Sequence, residues 1–408
     1  MSDDGLVIVG ASLGGAKAAE GARSQGWTRP IRLVGAEPHM PYERPPISKD
    51  VLIGRKAPVT ASVHDSGYYV DNDIDLLLGG TAGDIDLAER KVALNGERQL
   101  RFAKLILATG SSPRRLSLPN ADLPEVFYLR TLDDALALRD RLMPGSRLAV
   151  IGASWIGTEV ASSARQRGSE VVMIDPLSTP LERVLGPEVG RYFTDLHRSH
   201  GVDMRLGVGV DAVEGSDHVT GVRLVDGTVI NVDAVVVGVG VTPNVELARE
   251  AGLSVAGGVL VDSKLVSSHP DVYAVGDIAE AEHPTFGGRV RVEHWANALN
   301  QGLAAGSNAA GAAVIYDRIP YFYSDQYDMG MEYSGWPVPW DSVAFRGDPH
   351  EGEFVAFYLR GGRVVGGANI NVWDVNEHVQ ALIRAGAPVD INVLTDPSVS
   401  PDEWMVPT

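Results

Sequence analysis

The chain opens on a compact apolar run, Leu6-Val7-Ile8-Val9, which breaks at Gly10-Ala11-Ser12-Leu13-Gly14-Gly15 and continues through the small residues Ala16, Ala18 and Ala19. That order predicts a buried strand, a glycine turn and a helix able to lie close to the strand. A second run, Ile31-Arg32-Leu33-Val34-Gly35, reads as the neighbouring strand and leads to Glu37, 27 residues after Gly10. The pattern then returns. Ala149-Val150-Ile151-Gly152-Ala153-Ser154-Trp155-Ile156-Gly157 repeats the first motif 142 residues later, and Val171-Val172-Met173-Ile174 ends in Asp175, 23 residues after Gly152. Near the end of the chain, Glu353 to Gly366 divides into two strand-like runs around Gly361-Gly362, a hairpin signal. Residues Val375 to Ala385 follow at helical spacing, so about three strands with helices are expected over 319–408.

Each glycine motif has the form of the opening of a dinucleotide-binding βαβ unit. Gly10 and Gly152 would make the tight turn, and Gly15 and Gly157 would let helix and strand approach. Free N–H groups at the helix start would then face a pyrophosphate. Ser12 stands where the middle glycine of the fingerprint is usual. Glu37 and Asp175 are carboxylates placed to accept hydrogen bonds from ribose hydroxyls. A single such motif is also compatible with a structural turn in another parallel sheet. Two in one chain point to one dinucleotide passing electrons to another. The second site should prefer NADH, because Asp175 repels a 2′-phosphate and residues 176–182 offer no Arg or Lys to receive one.

Composition narrows the chemistry. Of 408 residues, 35 are Lys or Arg and 53 Asp or Glu, a formal net charge of −18, which argues against a nucleic-acid or anionic-membrane binder. There is no cysteine, so disulfide scaffolds, thiolate metal sites and redox dithiols are excluded. The acidic start Met1-Ser2-Asp3-Asp4 is unlike a secretory signal, and no apolar run approaches the ~18 residues of a membrane span. A soluble, cytoplasmic α/β protein is expected, with two Rossmann-like nucleotide-binding domains and a C-terminal α+β domain.

Several further segments carry a resemblance that covers almost the whole chain. Pro41-Tyr42-Glu43-Arg44-Pro45-Pro46-Ile47-Ser48-Lys49, Ala108-Thr109-Gly110-Ser111-Ser112-Pro113-Arg114 and Leu129-Arg130-Thr131-Leu132-Asp133-Asp134-Ala135 are three of them. Val275-Gly276-Asp277, Glu293-His294-Trp295-Ala296-Asn297-Ala298 and Pro320-Tyr321-Phe322-Tyr323-Ser324-Asp325-Gln326-Tyr327-Asp328 are the others. Together they resemble the FAD-dependent, NADH-using ferredoxin reductases of bacterial oxygenase systems, which have a glutathione-reductase-like fold. That family usually carries tryptophans where this chain has Tyr321 and Tyr323.

The resemblance implies an FAD site at Gly10, Ser12, Leu13, Gly14, Gly15, Glu37, Arg44, Lys49, Ala82, Thr109, Gly110, Arg130, Asp277, Glu293, His294 and Trp295. It implies an NAD site at Gly152, Ser154, Trp155, Ile156, Gly157, Glu159, Asp175 and Gly240. No metal site is implied. Lys49, expected near flavin N5 and paired with Glu159, is the candidate catalytic pair; alone, each reads as a surface charge. Asp277 would accept from a ribityl hydroxyl, the bland alternative being a helix cap. Trp295 opens a helix whose positive end suits the flavin N1–C2=O edge, the bland alternative being core packing. Residues 1–115 and 245–318 would form the FAD domain, 116–244 an inserted NAD domain and 319–408 the C-terminal interface domain.

The implied activity is hydride transfer from NADH to FAD, then single electrons to a small [2Fe-2S] ferredoxin feeding a haem monooxygenase or Rieske-type dioxygenase. The alternative is reduction of a quinone or of oxygen by the same flavin without a dithiol relay. An acidic ferredoxin wants local cations, yet residues 319–408 carry 4 Arg against 13 Asp or Glu. Arg291 is the expected docking residue, with Arg360 and Arg363 next.

Overall fold

The structure is a computed structural model and describes residues 4–404 apart from Glu97 and Pro337. The chain forms two compact units. The first comprises Met1–Glu43, Val59–Ser112 and Thr242–Pro320, and the second Arg44–Pro58, Pro113–Val241 and Tyr321–Thr408.

The first unit is built on a sheet in which Ile74–Leu78, Ile31–Gly35, Gly5–Val9 and Arg98–Leu107 run parallel in that order. Val272–Ala274 joins parallel to the end of Arg98–Leu107, and Lys91–Leu94 and Ala82–Asp86 extend its beginning as an antiparallel meander. Every residue of Gly5–Val9 and Ile31–Gly35 is buried, as parallel strands covered on both faces must be. The covering helices, Leu13–Ser24 and Trp295–Ala309, touch through backbone. A Cβ on Gly306 would lie 2.0 Å from the Ala18 carbonyl oxygen, and one on Gly302 2.5 Å from that of Gly14. These pairings advance together along both helices, so the two run parallel and present their N-termini at the same end.

In the second unit a five-stranded parallel sheet has the order Asp203–Leu206, Glu170–Asp175, Arg147–Ile151, Ala234–Val237, Val126–Phe127. An antiparallel layer, Val210–Gly215, Val219–Leu224 and Val229–Asn231, shares a core with it through Val213, Val222, Ile151 and Ile174. The C-terminal segment adds an antiparallel sheet of order Tyr321–Gln326, Met329–Gly335, Arg363–Ile370, Glu353–Arg360, Ser342–Asp348. Leu185, Val189 and Phe193 of the Glu182–Ser199 helix pack on it against Phe322, Phe354 and Tyr358.

The Gly361-Gly362 hairpin is present, with φ of +54° and +71°, the pair of positive values that a two-residue turn matched to strand twist requires. The sheet has five strands rather than about three. Its first turn, at Tyr327, holds a tyrosine at φ +57°, where sequence rules look for glycine or asparagine, so those two strands gave no hairpin signal. Residues 44–58 group with the second unit, not with the chain on either side of them. Ser163 Oγ donates to the Ser48 carbonyl (2.6 Å), Arg167 to that of Ile53 (2.7 Å) and Arg55 to Gln166 (2.6 Å).

Gly306→Leu should therefore cost roughly 3 kcal/mol or more in urea unfolding, because the new side chain meets backbone that cannot turn aside. Gly83→Ala is the control: its Cβ would meet nothing closer than 3.8 Å, and its effect should stay within about 0.5 kcal/mol. Equal effects would show that the helix pair tolerates separation.

Candidate functional site

Because the first unit's core strands are parallel, their carboxyl ends lie on one side, and the motif residues sit there. Gly10 leaves Gly5–Val9 at φ +119°, and a Cβ on it would lie 2.0 Å from the Ala108 carbonyl oxygen. A Cβ on Gly15 would lie 1.9 Å from that of Gly10. Ser12 is extended (φ −118°, ψ −161°), a conformation open to any residue, so no positive φ calls for glycine at this position. Its hydroxyl donates to the Tyr42 carbonyl (3.3 Å) and does not cap the helix, leaving the first-turn amides of Leu13, Gly14 and Gly15 to a ligand. Glu37 follows its strand and accepts from the Tyr42 hydroxyl (2.5 Å).

Asp277 follows Val272–Ala274, and its carboxylate accepts from Ser111 Oγ at 2.5 Å. Thr109 and Gly110 are fixed by Asn244: Thr109 Oγ1 donates to the Asn244 carbonyl (2.7 Å), and the Asn244 amide N–H to that of Gly110 (2.9 Å). Ala82 begins its strand, half-buried. His294 precedes the Trp295–Ala309 helix and does not cap it. Desolvation pushes the His294 imidazole down to about 4 against the pull of Asp277, so it is neutral near pH 7. Burial pushes the Glu43 carboxyl up, opposed by a hydrogen bond from Trp295 and the charge of Lys17. Arg291, the expected docking residue, donates to the Asp277 carbonyl (3.0 Å) and pairs with Glu293 (2.5 Å) while its side chain stays partly exposed, so it also holds this turn.

The second unit repeats the cradle with different detail. A Cβ on Gly152 (φ +100°) would lie 2.4 Å from the Gly238 carbonyl oxygen, and one on Gly157 2.0 Å from that of Gly152. Ser154 caps its helix, accepting from the Gly157 N–H (3.3 Å). Asp175 ends its strand with both carboxylate oxygens anchored, by the N–H groups of Ala153 (2.7 Å) and Leu177 (2.8 Å). Each oxygen keeps a second lone pair for a ribose hydroxyl. Ile156 is exposed at the helix start, while Trp155 packs edge-on against Phe322, with ring centroids 4.5 Å apart. A Cβ on Gly240, at φ +102°, would meet the Arg114 side chain at 3.8 Å, and the Gly240 carbonyl accepts from the Arg114 N–H (2.9 Å). Arg44 donates to the Arg130 carbonyl, which brings these two predicted residues together in the second unit.

Two residues past Gly157, Glu159 is buried and pairs with Lys49 at 3.1 Å. Ser48 Oγ donates to its Oε2 (2.5 Å) and Ser324 Oγ to its Oε1 (2.8 Å). The Lys49 ammonium lies 4.9 Å from the centre of the Tyr323 ring. Burial alone would lower the Lys49 pKa, but Glu159, with Tyr323 and Asp325, reverses this and leaves it raised. Asp325 is itself pushed up by burial, against the pull of Lys49. The motifs alone did not reveal Ser48, Ser324 or Ser111, since each lies more than 100 residues from the carboxylate it serves.

The donor sets fit the two expected cofactors. In the first unit, uncapped helix amides suit a pyrophosphate and Asp277 suits a polyol. In the second, a glycine cradle stands beside an anchored acid. A protein so built is a two-nucleotide oxidoreductase. Residues 4–302 match the family described as pyridine nucleotide-disulphide oxidoreductase, and 321–403 match the reductase C-terminal family. The chain is similar to the anthranilate 1,2-dioxygenase system ferredoxin–NAD(+) reductase component of Burkholderia cepacia, 38% identical and covering 98% of each chain. It is similar to the reductase in the covalent putidaredoxin reductase–putidaredoxin complex, with TM-score 0.95, 35% identity and 99% of each chain covered. The ferredoxin reductase for the CYP199A2 system from Rhodopseudomonas palustris is also similar, at TM-score 0.94 and 36% identity over 99% of this chain and 100% of that one. This chain belongs to the pyridine nucleotide-disulphide oxidoreductase family, and its cofactors are FAD and NAD(H). Without cysteine, it has no counterpart to the disulphide of that description.

Lys49→Met should destabilise the protein by about 3 kcal/mol, because it strips the cation from a buried carboxylate. Adding Glu159→Gln should recover much of that loss in a double-mutant cycle read by thermal unfolding, and simple additivity would show that the pair is not coupled. In the first unit, Asp277→Ala should weaken FAD retention by about ten- to a hundred-fold, as expected for losing a charged acceptor. Arg291→Ala should lower flavin content to a smaller degree by loosening the same turn, as measured by the flavin-to-protein absorbance ratio. Full flavin in both variants would remove this turn from the site.

Proposed function

We propose that the protein is an NADH-dependent ferredoxin reductase that supplies a small [2Fe-2S] ferredoxin and, through it, a haem monooxygenase or Rieske-type dioxygenase. The observation that carries this reading is the pair of dinucleotide cradles in a chain without a single thiol. Such a chain can take electrons from NADH but cannot relay them through a dithiol. Full-length relatives are named as ferredoxin reductases of oxygenase systems. When bound, the cofactors supply hydride transfer from reduced nicotinamide to flavin and the splitting of that pair into single electrons.

The chain's own residues bind and orient. In the proposed assignment, Gly10, Ser12, Leu13, Gly14 and Gly15 receive the FAD pyrophosphate, Glu37 a ribose, and Asp277 the ribityl chain. Thr109, Gly110, Ala82, Glu293, His294 and Trp295 shape the same site, and the family resemblance assigns Arg44, Lys49 and Arg130 to FAD as well. Gly152, Ser154, Trp155, Ile156, Gly157, Asp175 and Gly240 receive NADH. Lys49 and Glu159 orient the reacting rings, each neutralising the other where water is excluded. The proposed domains remain 1–115 with 245–318 for FAD, 116–244 for NAD and 319–408 as the interface domain. No helix among the described residues is long and apolar enough to cross a membrane. The NADH requirement favours the cytoplasm.

With Arg291 engaged by Glu293, the proposed docking cations are Arg360 and Arg363, exposed at the C-terminal hairpin. The testing experiment is NADH-driven cytochrome c reduction with and without added ferredoxin. Strong ferredoxin dependence is expected, and equal rates with fast quinone or oxygen reduction would favour the alternative acceptor. NADH should be used far better than NADPH. Asp175→Ala should narrow that gap and raise KM for NADH as well, because the Ala153 and Leu177 amides lose their anchor. A wild-type protein that turned over both nucleotides equally would refute the role of Asp175.

A further inference from the structure

Behind Glu159 lies a buried polar chain that nucleotide binding does not require. Thr158, His197, Ser324 and Gln326 are each no more than 2% exposed. Polar groups so deep must be satisfied, and here the geometry also fixes which way each bond runs. His197 Nε2 faces Gln326 Oε1 at 3.0 Å; an amide oxygen only accepts, so Nε2 carries the proton. Burial pushes the His197 pKa down to about 4, so the ring is neutral and Nδ1 accepts from the Tyr327 hydroxyl at 3.2 Å. The Gln326 NH2 donates to Thr158 Oγ1 (3.0 Å) and to Ser324 Oγ (3.2 Å). The Ser324 proton is left for Glu159, at 2.8 Å. Flipping the Gln326 amide would draw that proton to its oxygen and turn Ser324 lone pairs onto the carboxylate.

A second observation lies at the far end. Tyr327 holds a left-handed φ of +57°, costly for a bulky side chain, in a hairpin turn where glycine would be free of strain. Its ring stacks on His200 (3.6 Å between centroids, 10° between planes), and its backbone N–H donates to Ser162 Oγ (2.8 Å). The turn keeps a tyrosine at this cost where its hydroxyl completes the chain.

We propose that Tyr327, His197, Gln326 and Ser324 form a one-directional hydrogen-bond chain that positions the Glu159 carboxylate against Lys49, with Gln326 and His197 as positioning residues for the hydride step. The proposal rests on the reading of Lys49 and Glu159 given above. The chain is not a proton wire, since an amide cannot pass a proton on without becoming an imidic acid. It sets geometry. The Tyr321–Gln326 strand and the Glu182–Ser199 helix thereby act on a carboxylate carried by the second nucleotide helix. The charged and titratable neighbours of that carboxylate are Lys49, Tyr323 and Asp325, and those of the imidazole are His200 and Tyr327.

The test uses the FAD-loaded full chain. In wild type labelled with 15N-histidine, the His197 signal should be that of the neutral Nε2–H tautomer down to about pH 5; an Nδ1–H tautomer would overturn the proposal without any activity measurement. Gln326→Glu keeps the volume but, when ionised, has no proton for Ser324, so it and Gln326→Leu should each slow flavin reduction by NADH about tenfold. The affinity for NAD(+) and the flavin content of the Gln326→Glu variant should stay near wild type, while its melting temperature falls, because an ionised carboxylate there is buried close to Glu159. Tyr327→Phe should release the tautomer preference of His197 with a smaller loss of rate. Glu159→Gln is measured in parallel. If it leaves flavin reduction unchanged, the reading of the Lys49–Glu159 pair fails and the proposal falls with it, whereas a slowed Glu159→Gln beside an unaffected Gln326→Glu would overturn the proposal alone. Should Gln326→Leu fail to fold, the Gln326→Glu rate and the wild-type tautomer still decide.

Discussion

Both candidate nucleotide sites depend on backbone brought nearer to backbone than a methyl group allows. In the first unit, Gly10 and Gly15 let a strand end and a helix start share space that any Cβ would occupy, and Gly302 and Gly306 do the same between two parallel helices. Helix N-terminal amides are effective toward an anion only at hydrogen-bond range, so the close approach sets both the position and the strength of the site. The parallel pairing of Leu13–Ser24 with Trp295–Ala309 places two positive helix ends beside Asp277, although the two helices are far apart in sequence. Gly152 and Gly157 reproduce the tight turn in the second unit.

The two cradles differ in how their amides are left. Ser154 caps its helix while Ser12 turns its hydroxyl to Tyr42 instead. The acid after the second strand differs as well: Glu37 takes a tyrosine hydroxyl, whereas Asp175 takes two backbone N–H groups and so belongs to the turn it would help to read. Local repetition of a motif therefore yields two sites that are not interchangeable, and the difference lies in partners outside the motif.

Charge is handled by pairing rather than by exposure. The chain is strongly acidic, yet its partly buried Lys49 keeps a raised pKa because Glu159, Tyr323 and Asp325 lie near it. Glu159 in turn takes two serine hydroxyls besides the ammonium, which is what makes a buried ion pair tolerable at all. Arg291 follows the same logic, since its cation pairs with Glu293 and donates to a carbonyl that it holds in the turn.

Positions whose meaning is local were legible in the sequence. Glycines at Gly10, Gly152 and Gly361-Gly362 are required by positive φ and close approach, which act within a few residues, and the apolar runs beside them identify buried parallel strands. Acids at strand ends, such as Asp277 and Asp175, follow from the same local grammar. Tertiary structure alone decided what those groups touch. Ser48 and Ser324 reach Glu159 across more than 100 residues, residues 44–58 join a unit remote in sequence, and Arg291 donates to the carbonyl of Asp277. The tyrosine at Tyr327 violates local turn preference, and stacking and hydrogen bonds from residues well over 100 positions away hold it there. Backbone sterics operate between neighbours and can be read one segment at a time, whereas the partner of a buried polar group is set by whichever element folds against it.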